Sequence, residues 1–382
     1  MERAMEAVSS DKGLLFLSAA TRRRVTGGCR ALRNLTLFVV VIALANVAFE
    51  RAFPRRSHCL LDSKLNHLQQ QIDRYDVVFI GSSLVYRGVD PAVFNEELSK
   101  RGWQLDSFNF GVPGIQFEEM GLLIERMVAM NPERLKWLVI DLHSLSYLLG
   151  STGWYTKRHV AWHTPSATLN ACVRLWGGRK RFATKLNLTR VHLGHLVMKC
   201  LNIGRGGQLL DGSPETPTER NRGYESLEMS YRTAVESGGD SAEKQLAERA
   251  RVLDVYRKFY SEDVSALKTR IQDDSETDGA LPGAFDRLLL ARQNKRIREA
   301  GMMPLYFVMP ADPTVFPIGL PARALHRAGD IVLIGDYHDP LNLPELFAPK
   351  NRYDRNHMSE TGARLLSELL AADFVRTAER HR

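Results

Sequence analysis

A serine that follows a short apolar run, and a histidine near the C-terminus, are residue types that can carry out nucleophilic catalysis. Ser83 follows residues 76–80 after Gly81 and Ser82, and the apolar run of 76–80 without polar alternation predicts a strand buried on both faces of a parallel sheet. Asp354 and His357 are three residues apart, just ahead of a predicted helix. In a turn, this spacing lets the carboxylate orient the imidazole, which can then accept the proton of a serine hydroxyl.

Each of these signals has a structural explanation that needs no chemistry. A Gly-Ser-Ser sequence commonly serves only to form a turn, and an isolated Asp-x-x-His is frequent in proteins. His338 with Asp336 or Asp339 is a second candidate dyad. The catalytic hypothesis therefore depends on whether two segments far apart in the sequence meet in the fold.

The elements around these residues alternate as they do in α/β proteins. Buried strands are predicted at 76–80, 105–110, 137–142, 304–309 and 330–334, and helices at 91–101, 117–130, 285–300 and 365–375. Because the carboxyl ends of parallel strands share one sheet edge, Ser83 should lie at the edge where such folds bind ligands. Pro310 and Asp312 leave a strand at the same edge, which predicts that they line the substrate pocket.

Three short blocks of this sequence resemble the SGNH (GDSL-like) hydrolase superfamily. Gly81-Ser82-Ser83-Leu84 resembles its first block, with Ser83 at the nucleophile position, and residues 109–114 resemble its second block. Asp354 and His357 match its last block. The third block departs from the family, because Asp141-Leu142-His143-Ser144 contains no asparagine.

The resemblance, which covers roughly residues 75–148 and 284–376, implies a fold and a set of site residues. The implied fold is a three-layer, flavodoxin-like parallel sheet flanked by helices. The implied catalytic residues are Ser83, His357 and Asp354, and the implied oxyanion donors are Ser83 and Gly111, with His143 or Ser144 in place of the missing asparagine. No cofactor is implied.

The resemblance is strongest to the membrane-anchored branch that includes alginate O-acetylation proteins and the lipoteichoic-acid D-alanyl transfer protein. It implies an esterase or O-acyltransferase acting on acyl esters of a cell-envelope polysaccharide, with a multi-span membrane acyltransferase as a partner. A degenerate relative that binds polysaccharide or scaffolds an assembly without chemistry is the alternative. No recognised nucleic-acid motif accompanies the net charge of +8, so no nucleic-acid partner is predicted.

The N-terminal region predicts a single membrane anchor. Residues 35–53 are strongly apolar, and the arginines before them place residues 1–34 in the cytoplasm as a basic tail. Residues 54–74 are then a linker with a short helix leading from the membrane, and the remainder lies on the periplasmic side of a bacterial inner membrane. A cleaved signal peptide is the rival interpretation, because residues 43–45 read Ala-Leu-Ala.

Residues 149–283 interrupt the α/β pattern as a long insert. The insert is either a lid or acceptor-binding region over the site, or a partly ordered decoration. Its histidines His159, His163, His192 and His195 form pairs at helical spacing, but no further ligand completes a metal motif, so no metal is predicted. Cys172 and Cys200 are equally compatible with one disulfide and with two free thiols.

Overall fold

The computed structural model describes residues 19–53, 59–143, 155–178, 180–205, 221–236, 250, 254, 282–312, 321–340 and 342–381. Within them, five parallel strands form one sheet in the order β2-β1-β3-β4-β5. The strands are β1 (Val77–Gly81), β2 (Ser107–Gly111), β3 (Trp137–Asp141), β4 (Met303–Val308) and β5 (Leu333–Asp336). The strand order reverses beside β1, which is where doubly wound sheets bind ligands.

Helices connect the strands and also extend the chain at both ends. In chain order they are α1 (Ala19–Ala52), α2 (Cys59–Gln71), α3 (Ser83–Gly88), α4 (Pro91–Lys100), α5 (Phe117–Ala129), α6 (Lys157–Trp162), α7 (Pro165–Gly177), α8 (Phe182–Cys200), α9 (Leu227–Glu236), α10 (Ala284–Glu299), α11 (Pro321–Arg327), α12 (Pro344–Phe347) and α13 (Glu360–Arg380). Side-chain caps begin several of them, as at Asp90, Thr164 and Ser359.

Alternate residues of each strand face opposite layers, so the sheet is buried on both sides. Val78, Ile80 and their neighbours on one face pack against α2, α5, α10 and α11. Val77 and Phe79 on the other face pack against α3, α4, α12 and α13. The fold is therefore a three-layer α/β sandwich, which agrees with the expectation for an α/β parallel sheet flanked by helices.

One helix near the N-terminus is long and apolar enough to cross a membrane. It comprises residues 30–52 of α1, has a mean hydropathy of 2.0 and buries none of its residues within the protein. Inside the insert, α6, α7 and α8 form a helical unit that packs on α5.

Two features differ from the sequence-based expectations. The predicted linker 54–74 contains α2, whose Leu61, Leu65 and Leu68 lie in the sheet core, so this segment belongs to the α/β unit. The predicted strand 330–334 begins later, at Leu333, and its register against β4 is irregular between Tyr306 and Phe307. Residues 237–281 of the insert lie outside the described part of the chain except for positions 250 and 254.

Candidate active site

Ser83 is presented at the carboxyl end of β1 by a very tight connection. The strand ends at Gly81, Ser82 caps α3 by accepting the Leu84 amide at 3.3 Å, and Ser83 is the first residue of that helix. Gly81 is required because a Cβ there would lie 2.3 Å from Val85 Cγ2 and 2.8 Å from Asp141 Cβ. The close approach of strand and helix therefore places the Ser83 hydroxyl at the sheet edge, half-buried.

His357 meets Ser83 across 274 residues of sequence. Its Nε2 lies 3.0 Å from Ser83 Oγ, and its Nδ1 lies 2.8 Å from Asp354 Oδ2. When Nδ1 carries the proton it donates to the carboxylate, and Nε2 is left free to accept the serine proton. The three predicted residues thus form one continuous hydrogen-bonded chain in the geometry that a serine nucleophile needs.

Asp354 is held ionised by its local turn. Burial raises its pKa, but the His357 side chain and the backbone amides of Asn356 and His357 favour the charged form, and the net pKa lies below the ordinary value. The two amides donate to Oδ1 at 2.8 Å each. A carboxylate fixed in this way keeps the imidazole in one orientation and one tautomer.

The loop that carries Asp354 and His357 is closed at its base. Arg352 and Met358 form an antiparallel bridge, and the Tyr353 amide donates to the His357 carbonyl at 2.9 Å. The guanidinium of Arg352, almost fully buried, donates to the carbonyls of Pro310 at 3.2 Å and Arg355 at 2.8 Å. The loop is thus tied to the segment that follows β4.

Pro310 and Asp312, predicted to bind substrate, support this loop instead. Asp312 is buried, and its Oδ2 accepts from Arg355 Nε at 2.6 Å, while the Pro310 carbonyl accepts from Arg352. These contacts occupy the Asp312 carboxylate and the Pro310 carbonyl, the two groups that were expected to face a ligand. Their observed role is to position the histidine loop, which corrects the expectation.

Gly111, predicted as an oxyanion donor, has its amide engaged elsewhere. The Gly111 N–H donates to Asn109 Oδ1 at 2.7 Å, and Asn109 Nδ2 donates to the carbonyls of Val85 and Val89. Asn109 is completely buried and ties β2 to the end of α3. Because a satisfied amide is not an open donor, the assignment of Gly111 is corrected.

The turn at residues 112–115, directly after β2, contains a different backbone amide, that of Gly114. The Ile115 amide donates to the Val112 carbonyl at 3.2 Å, with Pro113 and Gly114 between them and Gly114 at φ +65°. A positive φ at the third position of such a turn favours glycine. Within the described part of the chain, the amides of Ser83 and Gly114 make no hydrogen bond.

His143, the expected substitute for the missing asparagine, is fully buried just beyond β3. Its Nδ1 lies 3.0 Å from Asp141 Oδ1, which also accepts the Met309 amide at 3.3 Å, and its ring packs edge-on against His338. His143 is therefore held in buried contacts at the carboxyl ends of β3 and β4. Ser144 lies outside the described residues.

The second candidate dyad is occupied by structural contacts. His338 Nδ1 accepts the Ala311 amide at 3.1 Å, and Arg323 binds both Asp336 at 2.6 Å and Asp339 at 3.1 Å. The carboxylates that were expected to orient His338 are thus paired with a guanidinium. This arrangement favours His357 as the site histidine.

The insert histidines gather in one buried cluster without a metal-binding arrangement. His163 Nε2 lies 2.9 Å from His192 Nδ1 and 3.4 Å from His195 Nδ1, and burial lowers the pKa of His195 and of His159 to about 4. Among the described residues, no group of three or more potential ligands is placed to hold a metal ion. Trp162 stacks on His163, so the cluster forms part of a satellite core.

Lys64, which sequence reasoning missed, links α2 to the β2 edge behind the site. Its Nζ donates to the carbonyls of Asn109, Gly111 and Gly223 at 2.7 to 2.9 Å. Burial, opposed by the Glu225 carboxylate, holds the pKa of Lys64 well below its ordinary value. A lone lysine in a polar segment carries no sequence signal for such a role.

No protein-family model matches this chain, and no curated protein matches it in sequence.

Proposed function

We propose that this protein is an SGNH-like serine hydrolase or O-acyltransferase, anchored in a bacterial inner membrane with its α/β unit on the periplasmic side. The observation that carries the proposal is the contact of His357 with Ser83 Oγ at 3.0 Å and with Asp354 at 2.8 Å. The position of Ser83 at the strand-order reversal supports it further. The proposed domains are the tail 1–34, the anchor 35–53, the two-part catalytic unit and the insert 149–283.

The chemistry follows from the proton positions. Ser83 Oγ bonds to the carbonyl carbon of an acyl ester while His357 Nε2 takes the hydroxyl proton, and Asp354 stabilises the imidazolium. The proton then passes from His357 to the departing alkoxide, and an acyl-serine remains. Water or a sugar hydroxyl next gives its proton to His357 and attacks the acyl carbonyl, and His357 returns that proton to Ser83 Oγ as the bond between this oxygen and the acyl carbon breaks.

Charge that develops on the carbonyl oxygen needs donors. Among the described residues, the amides of Ser83 and Gly114 make no backbone hydrogen bond, and we assign them this role in place of Gly111, whose amide is engaged. One such donor typically contributes about 3 kcal/mol to the transition state.

The candidate membrane-spanning helix indicates where the substrate of this protein would be found. Residues 30–52 of α1 would hold the site near an envelope surface, and an acyl ester of an envelope polysaccharide is a substrate found there. A multi-span membrane acyltransferase that supplies the acyl group is the proposed partner. If a sugar hydroxyl resolves the acyl-serine, the protein is a transferase, and if water does, it is an esterase.

A polysaccharide-binding or scaffolding protein without chemistry is the second candidate. It is favoured by the absence of an asparagine at residues 141–144 and by the engaged Gly111 amide. It is opposed by the contact between Ser83 and His357, which a protein without chemistry would not require.

Turnover of a chromogenic acetate ester by the purified full-length protein tests the proposal. We expect Ser83→Ala to lower the rate by at least about 10³-fold, because residues of such a triad act as a unit. Ser82→Ala is the matched control, since this neighbouring serine only caps α3. Equal rates for native protein and Ser83→Ala would exclude Ser83 as the nucleophile.

A further inference from the structure

The helical hairpin α7–α8 exposes a row of large apolar side chains. On α8, Leu186, Leu193, Val197 and Leu201 fall on one side of the helix and are each about half exposed, from 48% to 55%. The opposite side, with Leu188 and Val191, is buried. Large exposed apolar patches on a folded protein mark binding surfaces for proteins or membranes.

The apolar face continues across the turn onto α7. Leu169, Val173 and Trp176 lie on one side of that helix and are also exposed. The Trp176 ring packs edge-on against Phe182, with ring centres 5.7 Å apart, and Phe182 itself is 68% exposed. The two helices thus present one connected apolar surface.

The charged side chains on the two helices are all basic, and one of them, Arg174, is buried in ion pairs with Glu118 of α5 and Asp286 of α10. Residues 142–210 contain no Asp or Glu, whereas they contain ten Lys and Arg residues. Lys180 and Arg181 are exposed at the turn between the helices, and the exposed Arg190 lies on the same side of α8 as the apolar stripe, four residues from Leu186 and three from Leu193. An amphipathic helix with basic flanks is suited to an anionic lipid surface, because long basic side chains can reach the headgroups.

The end of α8 reaches the candidate membrane-spanning helix. Asn202 Nδ2 donates to Asn46 Oδ1 at 2.7 Å, and Arg205 lies over the Phe49 ring and 3.5 Å from the Glu50 carboxylate. Asn46 is six residues inside the end of that helix, or about 9 Å along its axis. The hairpin is therefore attached to α1 within the apolar segment that would lie in lipid.

We infer that the outer face of α7–α8 lies in the lipid bilayer that α1 enters, with its apolar side chains among the acyl chains and its basic residues at the phosphates. The inference rests on α1 as a membrane anchor and is independent of any chemistry at Ser83. Immersion would remove from water the large apolar side chains that the fold leaves exposed, which favours the membrane-bound position.

Fluorescence depth measurements on the full-length protein test the inference. The four cysteines are replaced by serine, and one cysteine is introduced at Leu193 or Val197 and labelled with an environment-sensitive fluorophore. The matched control is Leu288→Cys, an equally exposed leucine on α10. The labelled proteins are reconstituted in phosphatidylcholine–phosphatidylglycerol vesicles with and without spin-labelled phospholipid.

We expect at least twofold stronger quenching by the spin-labelled lipid at 193 and 197 than at 288, with a blue-shifted emission. Alkaline extraction, which leaves integral helices in the vesicles, reports separately on α1. If the chain resists extraction but the labels at 193 and 197 are as accessible to water as the label at 288, lipid does not cover this face. That result would overturn the inference and direct attention to a protein partner, without bearing on the proposed catalysis.

Discussion

At the scale of single residues, the imidazole of His357 joins two groups with opposite requirements. The Ser83 hydroxyl must lose a proton and the Asp354 carboxylate must stay charged, and both lie within 3.0 Å of a ring nitrogen. The carboxylate is fixed by two backbone amides, so its orientation does not depend on the imidazole alone. The arrangement is therefore prepared before substrate binds.

The depressed pKa of Asp354 predicts a pH-dependent effect of Asp354→Asn. Because the folded pKa lies below the unfolded value of about 3.9, the ionised carboxylate adds stability above that pH and loses it as the pH falls through the folded pKa. We expect the thermal unfolding midpoint of Asp354→Asn to lie below that of the native protein at pH 7. The difference should shrink as the pH falls below about 4.

Glu299→Gln, which changes an exposed carboxylate on α10, is the control and should leave the midpoint unchanged. A difference between Asp354→Asn and the native protein that stays constant from pH 7 to pH 2 would contradict the role assigned to the Asp354 charge.

The sequence allowed Ser83, Asp354 and His357 to be selected, because their types and spacing carry the pattern. It did not show where the Gly111 amide points, since that depends on the side chain of Asn109. The support that Arg352 and Arg355 give to the histidine loop was equally invisible, because both contacts join segments more than 40 residues apart.

At the scale of elements, the apolar runs predicted each of the five strands to within a few residues. Buried parallel strands leave continuous apolar runs that few other structures produce. The position of β5 was less accurate, because its register against β4 shifts at Tyr306 and Phe307. The short helix predicted within residues 54–74 is present as α2, but its packing on the sheet was missed because its buried leucines are mixed with polar residues over only 13 residues.

In the loop between Arg352 and Met358, we expect Arg355 to affect the rate of catalysis through the position of His357, not through contact with substrate. Arg355→Ala removes the 2.6 Å contact with Asp312 and leaves His357 less well positioned. We expect kcat for the acetate ester to fall about 10- to 100-fold with little change in KM, since small misplacements of a catalytic group are costly.

Arg355→Lys should restore part of the activity, because it keeps a positive charge near Asp312. Lys295→Ala, which breaks an exposed ion pair with Glu299, should have no effect on kcat. An Arg355→Ala protein with the native kcat would show that the loop holds its shape without this contact.

At the scale of the whole molecule, segments remote in sequence meet around β2. Lys64 from α2 donates both to the Asn109 carbonyl on the outer edge of this strand and to the Gly223 carbonyl of the insert. The Asn109 amide, on the same edge, donates to the Arg222 carbonyl of the insert at 2.9 Å. The edge strand is thus covered rather than left open to pairing with another chain. The insert is consequently part of the fold that carries the site.

Lys64→Met should destabilise the entire α/β unit. The change leaves three buried carbonyls without their donor, and we expect the free energy of unfolding to fall by about 1–3 kcal/mol, the cost of an unsatisfied buried group. Chemical denaturation in detergent measures this change, with the exposed Lys136→Met as control. Equal stability of both variants would contradict the structural role of Lys64.

The most direct test of the central claim is the identity of the residue modified by a fluorophosphonate probe. This probe reacts with nucleophilic side chains and fastest with a serine that a base has activated. The account predicts a single adduct on Ser83 by peptide mass spectrometry, lost in Ser83→Ala and strongly reduced in His357→Ala. An adduct on another residue, or labelling that persists in Ser83→Ala, would contradict it.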